Sequence, residues 1–161
     1  MIIILNGSIN SGKTTVAKIL WKKIPDTAFI EVDKLREFID WMDGDKAFPL
    51  SIENAILIMK NFVEKGLNVI FTYPLSEKDY KYIIKELNAV KNKIHIFTFS
   101  PDLNKTLTNR GTRELTDWEI NRIKYHYDIG INKPSFGKII DNTNQTSEET
   151  ANEVMAYIKK N

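Results

Sequence analysis

The feature that most restricts this chain is an apolar run, Ile2-Ile3-Ile4-Leu5-Asn6, that passes directly into Gly7-Ser8-Ile9-Asn10-Ser11-Gly12-Lys13-Thr14. A run with β-branched bias and no polar alternation predicts a strand buried on both faces, the condition of a strand inside a helix-covered parallel sheet. The next segment carries the full G-x-x-x-x-G-K-[ST] spacing. It leads into helical spacing at Val16, Ala17, Ile19 and Leu20, with Pro25 closing that helix after about Lys23. Strand, glycine loop and helix in this order make a phosphate-binding corner. The glycines let backbone N–H groups turn inward toward an anion, and the helix N-terminus adds a partial positive charge.

Each residue type in this Walker A pattern has an expected task. Gly7 and Gly12 let the backbone wrap. Lys13 is expected to reach the β- and γ-phosphates of a nucleotide, and the Thr14 hydroxyl to ligate Mg²⁺. Ser11 can donate a further hydrogen bond, and Ser8, Asn10 and Thr15 complete the candidate nucleotide-binding set. A corner that merely needs glycine accounts for Gly7 and Gly12 but not for Lys13-Thr14. The expected cofactors are therefore ATP and Mg²⁺.

The remaining pattern alternates strands and helices. Ala28 to Val32, Leu67 to Thr72, Ile94 to Phe99 and Lys138 to Ile140 read as further strands. Lys34 to Trp41 can be helical, before a polar break at Asp43-Gly44-Asp45. Pro49 and Ser51 precede a core-facing helix marked by Ile52, Ala55, Ile56, Ile58, Met59, Phe62 and Val63, with Gly66 as its cap. Ser76 to Val90 is expected to be a helix with Ser76 at its N-cap. Pro101 stands near the start of another. Thr116 to Glu119 is a capping-box pattern opening a helix to about Asp128. Thr146 to Lys160 is expected to be the closing helix. This order predicts a three-layer α/β fold with a parallel sheet.

Composition excludes more than it selects. The 161 residues fit one domain, and the net charge of +2 comes from interleaved acids and bases, which argues for neither a nucleic-acid nor a membrane partner. With no cysteine, disulfides and thiolate chemistry are out, and two histidines far apart argue against a zinc site. The opening apolar run is too short for a signal peptide and lacks a basic leader, and no stretch is long enough to span a bilayer. A cytoplasmic monomer or weak homodimer is the expectation.

In open α/β sheets ligands bind outside the carboxyl ends of the strands. Asp33 is expected to end the second strand, where a carboxylate can take the proton of an attacking hydroxyl or hold Mg²⁺. It can also serve as N-cap of the helix that follows. Arg36, three residues on, shares that helical face and suits a polar or anionic substrate group. The third strand ends Phe71-Thr72-Tyr73-Pro74, without the Walker B acid that many such proteins carry there. Thr72 and Tyr73 can contact substrate or a metal-bound water, and Tyr73 can equally be a packed aromatic. Arg110-Gly111-Thr112-Arg113, ahead of a capped helix, looks like a lid whose arginines suit a transferring phosphoryl group. The loop Asp141 to Gln145 can hydrogen-bond an adenine ring by backbone and amide groups or simply connect strand to helix. His126 reads as a packed structural histidine.

Together these residues resemble the small P-loop kinases of the adenylate kinase-like and shikimate kinase-like group. The Ile-Ile-Ile-Leu-Asn-Gly start, Val32-Asp33 and Arg110 to Arg113 are most similar to chloramphenicol phosphotransferase-like kinases. The resemblance covers nearly the whole chain in element order. It implies a three-layer α/β/α P-loop NTPase fold, residues 1–161 as one domain, with a five-stranded parallel sheet in the order 2-3-1-4-5 and a short lid over about 110–122. It implies Asp33 as the base beside the acceptor hydroxyl, Lys13, Arg110 and Arg113 as the groups that stabilise the phosphates, and residues 36–62, with Trp41 and Phe48, as the substrate wall. The chain departs from shikimate kinases in having Tyr73-Pro74-Leu75 where they carry a glycine-rich motif, and Glu31 as the nearest match to their second aspartate. The expected activity is phosphoryl transfer from ATP to a hydroxyl of a small molecule. A nucleotide-dependent regulatory protein with slow hydrolysis and a nucleic-acid end kinase are the alternatives.

Overall fold

The structure is a computed structural model and describes residues 1–90, 92–108 and 114–161. Strand β1 (Ile2–Gly7) is buried from end to end, as its apolar run requires. It lies at the centre of a sheet with β2 (Thr27–Glu31), β3 (Asn68–Thr72), β4 (Ile94–Phe99) and β5 (Lys138–Ile140) in the order β2-β3-β1-β4-β5. Every pairing is parallel, with Leu5 opposite Thr72 on one side and opposite Phe97 on the other. This is the order that the resemblance implied.

Alternation along β1 divides the core. Ile2 and Ile4 pack with Ile52, Ile56 and Met59 of helix α3 (Gly44–Glu64) and Ile83 of helix α4 (Glu77–Leu87). Ile3 and Leu5 face the opposite way, onto Val16, Ala17 and Leu20 of helix α1 (Lys13–Lys23) and Ala151 and Val154 of helix α7 (Ser147–Lys160). Helices therefore cover both faces of the sheet, and the strand ends carry the loops.

Several boundaries differ from the sequence reading. β2 stops at Glu31, because Val32 already opens the one-turn helix α2 (Val32–Arg36). Asp33 thus stands in the first turn of a helix, and the N-cap position belongs to Glu31. A 3₁₀ turn at Glu37–Ile39 follows. α3 starts at Gly44, well before Pro49, since the N–H groups of Lys46 and Ala47 both bond to the Asp43 carbonyl. Pro49 is tolerated inside it because the carbonyl left unpaired belongs to exposed Asp45. α3 ends as expected at Gly66 (φ 82°), where Gly66 and Leu67 donate to the Val63 and Phe62 carbonyls. α4 ends at Leu87 rather than Val90. The helix after Pro101 is the single turn α5 (Leu103–Thr106), and α6 (Asp117–Asp128) is closed at its start by the expected Thr116–Glu119 box. Among the described residues, no helix is long and apolar enough to cross a membrane.

Candidate functional site

The site forms where β1 ends and α1 begins. Gly7 sits at φ 143°, and a Cβ there would lie 2.7 Å from both the Phe99 carbonyl and Ser11 Oγ. Only glycine fits this crossing. Asn6 below it is fully buried. It donates to Thr98 Oγ1 and the Ile131 carbonyl and accepts from the Leu75 N–H, which ties the ends of β1, β4 and the β3 loop together. Gly12 (φ 95°) leads into α1, whose start has neither a side-chain cap nor an acidic first turn. By contrast α4, α6 and α7 all begin with complete capping boxes. The first N–H groups of α1 are thus left for an anion.

The loop side chains support the same reading. Lys13 Nζ donates to the Ser8 carbonyl (2.7 Å), and desolvation lowers its pKa to about 8 against the opposing pull of Asp33 and Glu31. Ser11 Oγ is buried and, among the described residues, has no hydrogen-bond partner. Asn10 adopts a positive φ of 61° and donates its amide to the Thr106 and Thr108 carbonyls. Ser8 Oγ lies 3.3 Å from Nδ1 of buried His126, whose pKa is lowered to about 4, first by desolvation and then by Arg122 and Lys13. Asn142 donates to the Ser11 carbonyl, so the loop after β5 braces the phosphate loop.

Two cavities meet here. One, of about 360 Å³, is lined by Asn10, Gly12, Lys13, Thr14, Thr15 and Glu31. The other, of about 370 Å³, shares Asn10, Lys13, Thr14 and Glu31 and extends past Asp33, Arg36, Thr72 and Tyr73. Phe48 of α3 and Trp118, Glu119, Arg122 and His126 of α6 complete its wall. Asp33 is open to solvent at this second cavity, yet the concave surroundings desolvate its carboxyl and raise its pKa, against the opposing charge of Lys13. Tyr73 is buried and its phenol pKa is raised, mainly by desolvation.

Sequence reasoning brought Lys13, Thr14, Asp33, Arg36 and Tyr73 into one place, and the structure lines one cavity with them. It noted Glu31 only as the nearest match to a second aspartate and left it out of the site, although Glu31 accepts a 2.6 Å hydrogen bond from Thr14 Oγ1. The available signal was its position directly before the turn to Asp33. It also missed the face of α6, where Trp118, Arg122 and His126 recur at a spacing of one turn. Trp41 does not belong to the wall. It lies past the 3₁₀ turn and is 78 % exposed. Arg110 and Arg113 lie outside the described residues.

The oxygen set fits Mg²⁺. Thr14, Glu31 and Asp33 are hard donors beside the loop. Among the described residues no three acids or histidines are grouped to hold a metal by themselves, so an ion here would need phosphate oxygens to complete its shell.

No protein-family model matches the chain, and no curated protein matches it significantly in sequence. Solved structures match it across nearly its full length. A sugar kinase from Janibacter sp. superposes with a TM-score of 0.74 at 13 % identity, covering 98 % of this chain and 94 % of that one. The tunicamycin resistance protein of Deinococcus radiodurans gives 0.70 at 17 % identity, over 98 % and 94 %. Shikimate kinase from Aquifex aeolicus gives 0.61 at 18 % identity, over 99 % and 97 %. The chain thus has the fold of the small P-loop kinases.

Proposed function

We propose that this protein transfers the γ-phosphate of ATP to a hydroxyl of a small molecule. The observation that carries the proposal is the pair of adjoining cavities with Lys13, Thr14 and Glu31 in their shared wall. The first suits the triphosphate and the second the acceptor. The kinase names among the structural neighbours agree with this reading.

In the donor half, backbone N–H groups and Lys13 hold and orient the phosphates. Thr14, Glu31 and Asp33 would hold Mg²⁺, which when bound would supply charge neutralisation at the phosphates. In the acceptor half, the Asp33 carboxylate accepts the proton of the attacking hydroxyl. Its raised pKa makes it a stronger base than an ordinary carboxylate. Lys13 is cationic below about pH 8 and faces the charge that develops on the transferring group. Arg110 and Arg113 are proposed to add to that stabilisation from the segment before α6.

The test is acceptor-stimulated ADP release from Mg-ATP, screened over sugars, polyols, hydroxy acids, nucleosides and hydroxylated antibiotics. At least one acceptor class should raise turnover above basal hydrolysis, and Asp33→Asn should abolish the increase. No stimulation by any class, with Asp33→Asn indistinguishable from the unsubstituted protein, would contradict the proposal.

A further inference from the structure

The acceptor cavity holds more positive charge than phosphate binding at Lys13 uses. Arg36 enters it from α2 and Arg122 from α6. Among the described residues neither guanidinium is within salt-bridge distance of a carboxylate. Each instead lies over an aromatic ring, Arg36 at 4.9 Å from the Phe48 centroid and Arg122 at 5.0 Å from that of Tyr125. Such stacking fixes the guanidinium plane and leaves its N–H edges for a ligand. Arg36 Nε is buried and, among the described residues, has no partner. Both arginines line the cavity together with Tyr73 and Asp33.

The nearby acids have other tasks. Glu31 accepts from Thr14, and Glu119 accepts from the N–H and hydroxyl of Thr116. Asp33 stands as the proposed base. A neutral polyol would leave both guanidiniums without a salt-bridge partner in the cavity. A carboxylate or phosphate monoester would match their planar, forked donors.

We infer that the acceptor is anionic, a small hydroxylated molecule whose carboxylate or phosphate monoester is held by Arg36 and Arg122 while its hydroxyl faces Asp33. The inference rests on the phosphotransferase reading for the role of Asp33, but the anion site itself is testable without turnover. Calorimetric titrations are made with Mg-ADP saturating, so that the phosphate loop is filled. Gluconate is compared with glucitol, and glycerol 3-phosphate with glycerol.

The acid of at least one pair should bind about tenfold or more tighter than its neutral partner, as a charge-assisted hydrogen bond implies. The pair that discriminates tells carboxylate from phosphate. Arg36→Gln and Arg122→Gln should each remove most of the preference while leaving Mg-ADP affinity unchanged. Arg36→Lys and Arg122→Lys, which keep the charge but lose the fork, should retain part of it and guard against a glutamine variant that fails to fold. Equal or absent binding of both members in both pairs overturns the inference, as does a loss confined to Mg-ADP. Acids that bind with this preference but draw no phosphate from ATP contradict the phosphotransferase reading and leave the anion site standing. Transfer to acid and polyol with equal kcat/KM does the reverse.

Discussion

The phosphate loop and the wall opposite it are held in different ways. The loop hangs between the central strand and α1, its backbone braced by Asn142, its lysine bonded to Ser8 and the strand beneath it fully buried. The wall is assembled from single side chains on α2, α3 and α6, with Trp118 61 % exposed and Phe38 and Trp41 beyond it in water. A backbone cradle recognises phosphate through N–H groups that every residue except proline supplies, so its chemistry is tied to the fold. A side-chain wall can be recut without disturbing the sheet. On the proposed function, this asymmetry ties the donor half to the fold and leaves the acceptor half free to vary.

Substitutions can break or sharpen the contrast. The largest effect is expected from Asp33→Asn, about 10²–10⁴-fold in kcat for general-base loss, with Mg-ATP binding retained in calorimetry. Lys13→Ala should cost about 10²–10³-fold in kcat/KM for ATP, as removal of a charged donor to the transferring group does. If both variants lost ATP binding alike, the two halves would not be separable. Gly7→Ala forces a Cβ onto the Phe99 carbonyl at positive φ, and should lower stability by about 1–3 kcal/mol in denaturant unfolding while weakening ATP binding. Phe38→Ser and Trp41→Ser, both on exposed side chains outside the cavity, should stay within about 0.5 kcal/mol of the parent and leave ATP binding untouched.

The pH dependence separates the halves again. Lys13 is protonated below about pH 8, so Mg-ATP affinity should be highest there and weaken as pH rises through that value, a trend absent in Lys13→Ala. For stability the sign is opposite. Between about 8 and the ordinary 10.5 the unfolded chain binds more protons at this lysine, so its contribution to stability rises with pH across that window. As the proposed base, Asp33 would have to be deprotonated to act, so kcat should rise with pH through a value above the ordinary carboxylate range.

The same contrast governs what the sequence made legible. β1, the loop and α1 follow from local pattern, because an apolar run, two glycines and a helical stripe each force one geometry. The position of Asp33 was legible but its local structure was not, since Val32 suits the end of a strand as well as the start of a helix. α3 was read too short because Pro49 resembles a boundary when the exposure of Asp45 is unknown. The pairing of Thr14 with Glu31, and of Ser8 with His126, joins elements distant along the chain. No local pattern carries such contacts. The resemblance places Trp41 in the wall, but element order says nothing about the direction in which a 3₁₀ turn carries a single side chain.

The central claim is that Asp33 and Lys13 form one electrostatic unit across the junction of the two halves. Site-resolved NMR titration of both groups in the free protein tests this without any acceptor. The Asp33 carboxyl should titrate above the usual carboxylate range and Lys13 at about 8. Because each charge opposes the other's shift, Asp33→Asn should lower the Lys13 value further, and Lys13→Met should raise that of Asp33. Ordinary values for both groups, or a Lys13 titration unmoved by Asp33→Asn, would contradict it.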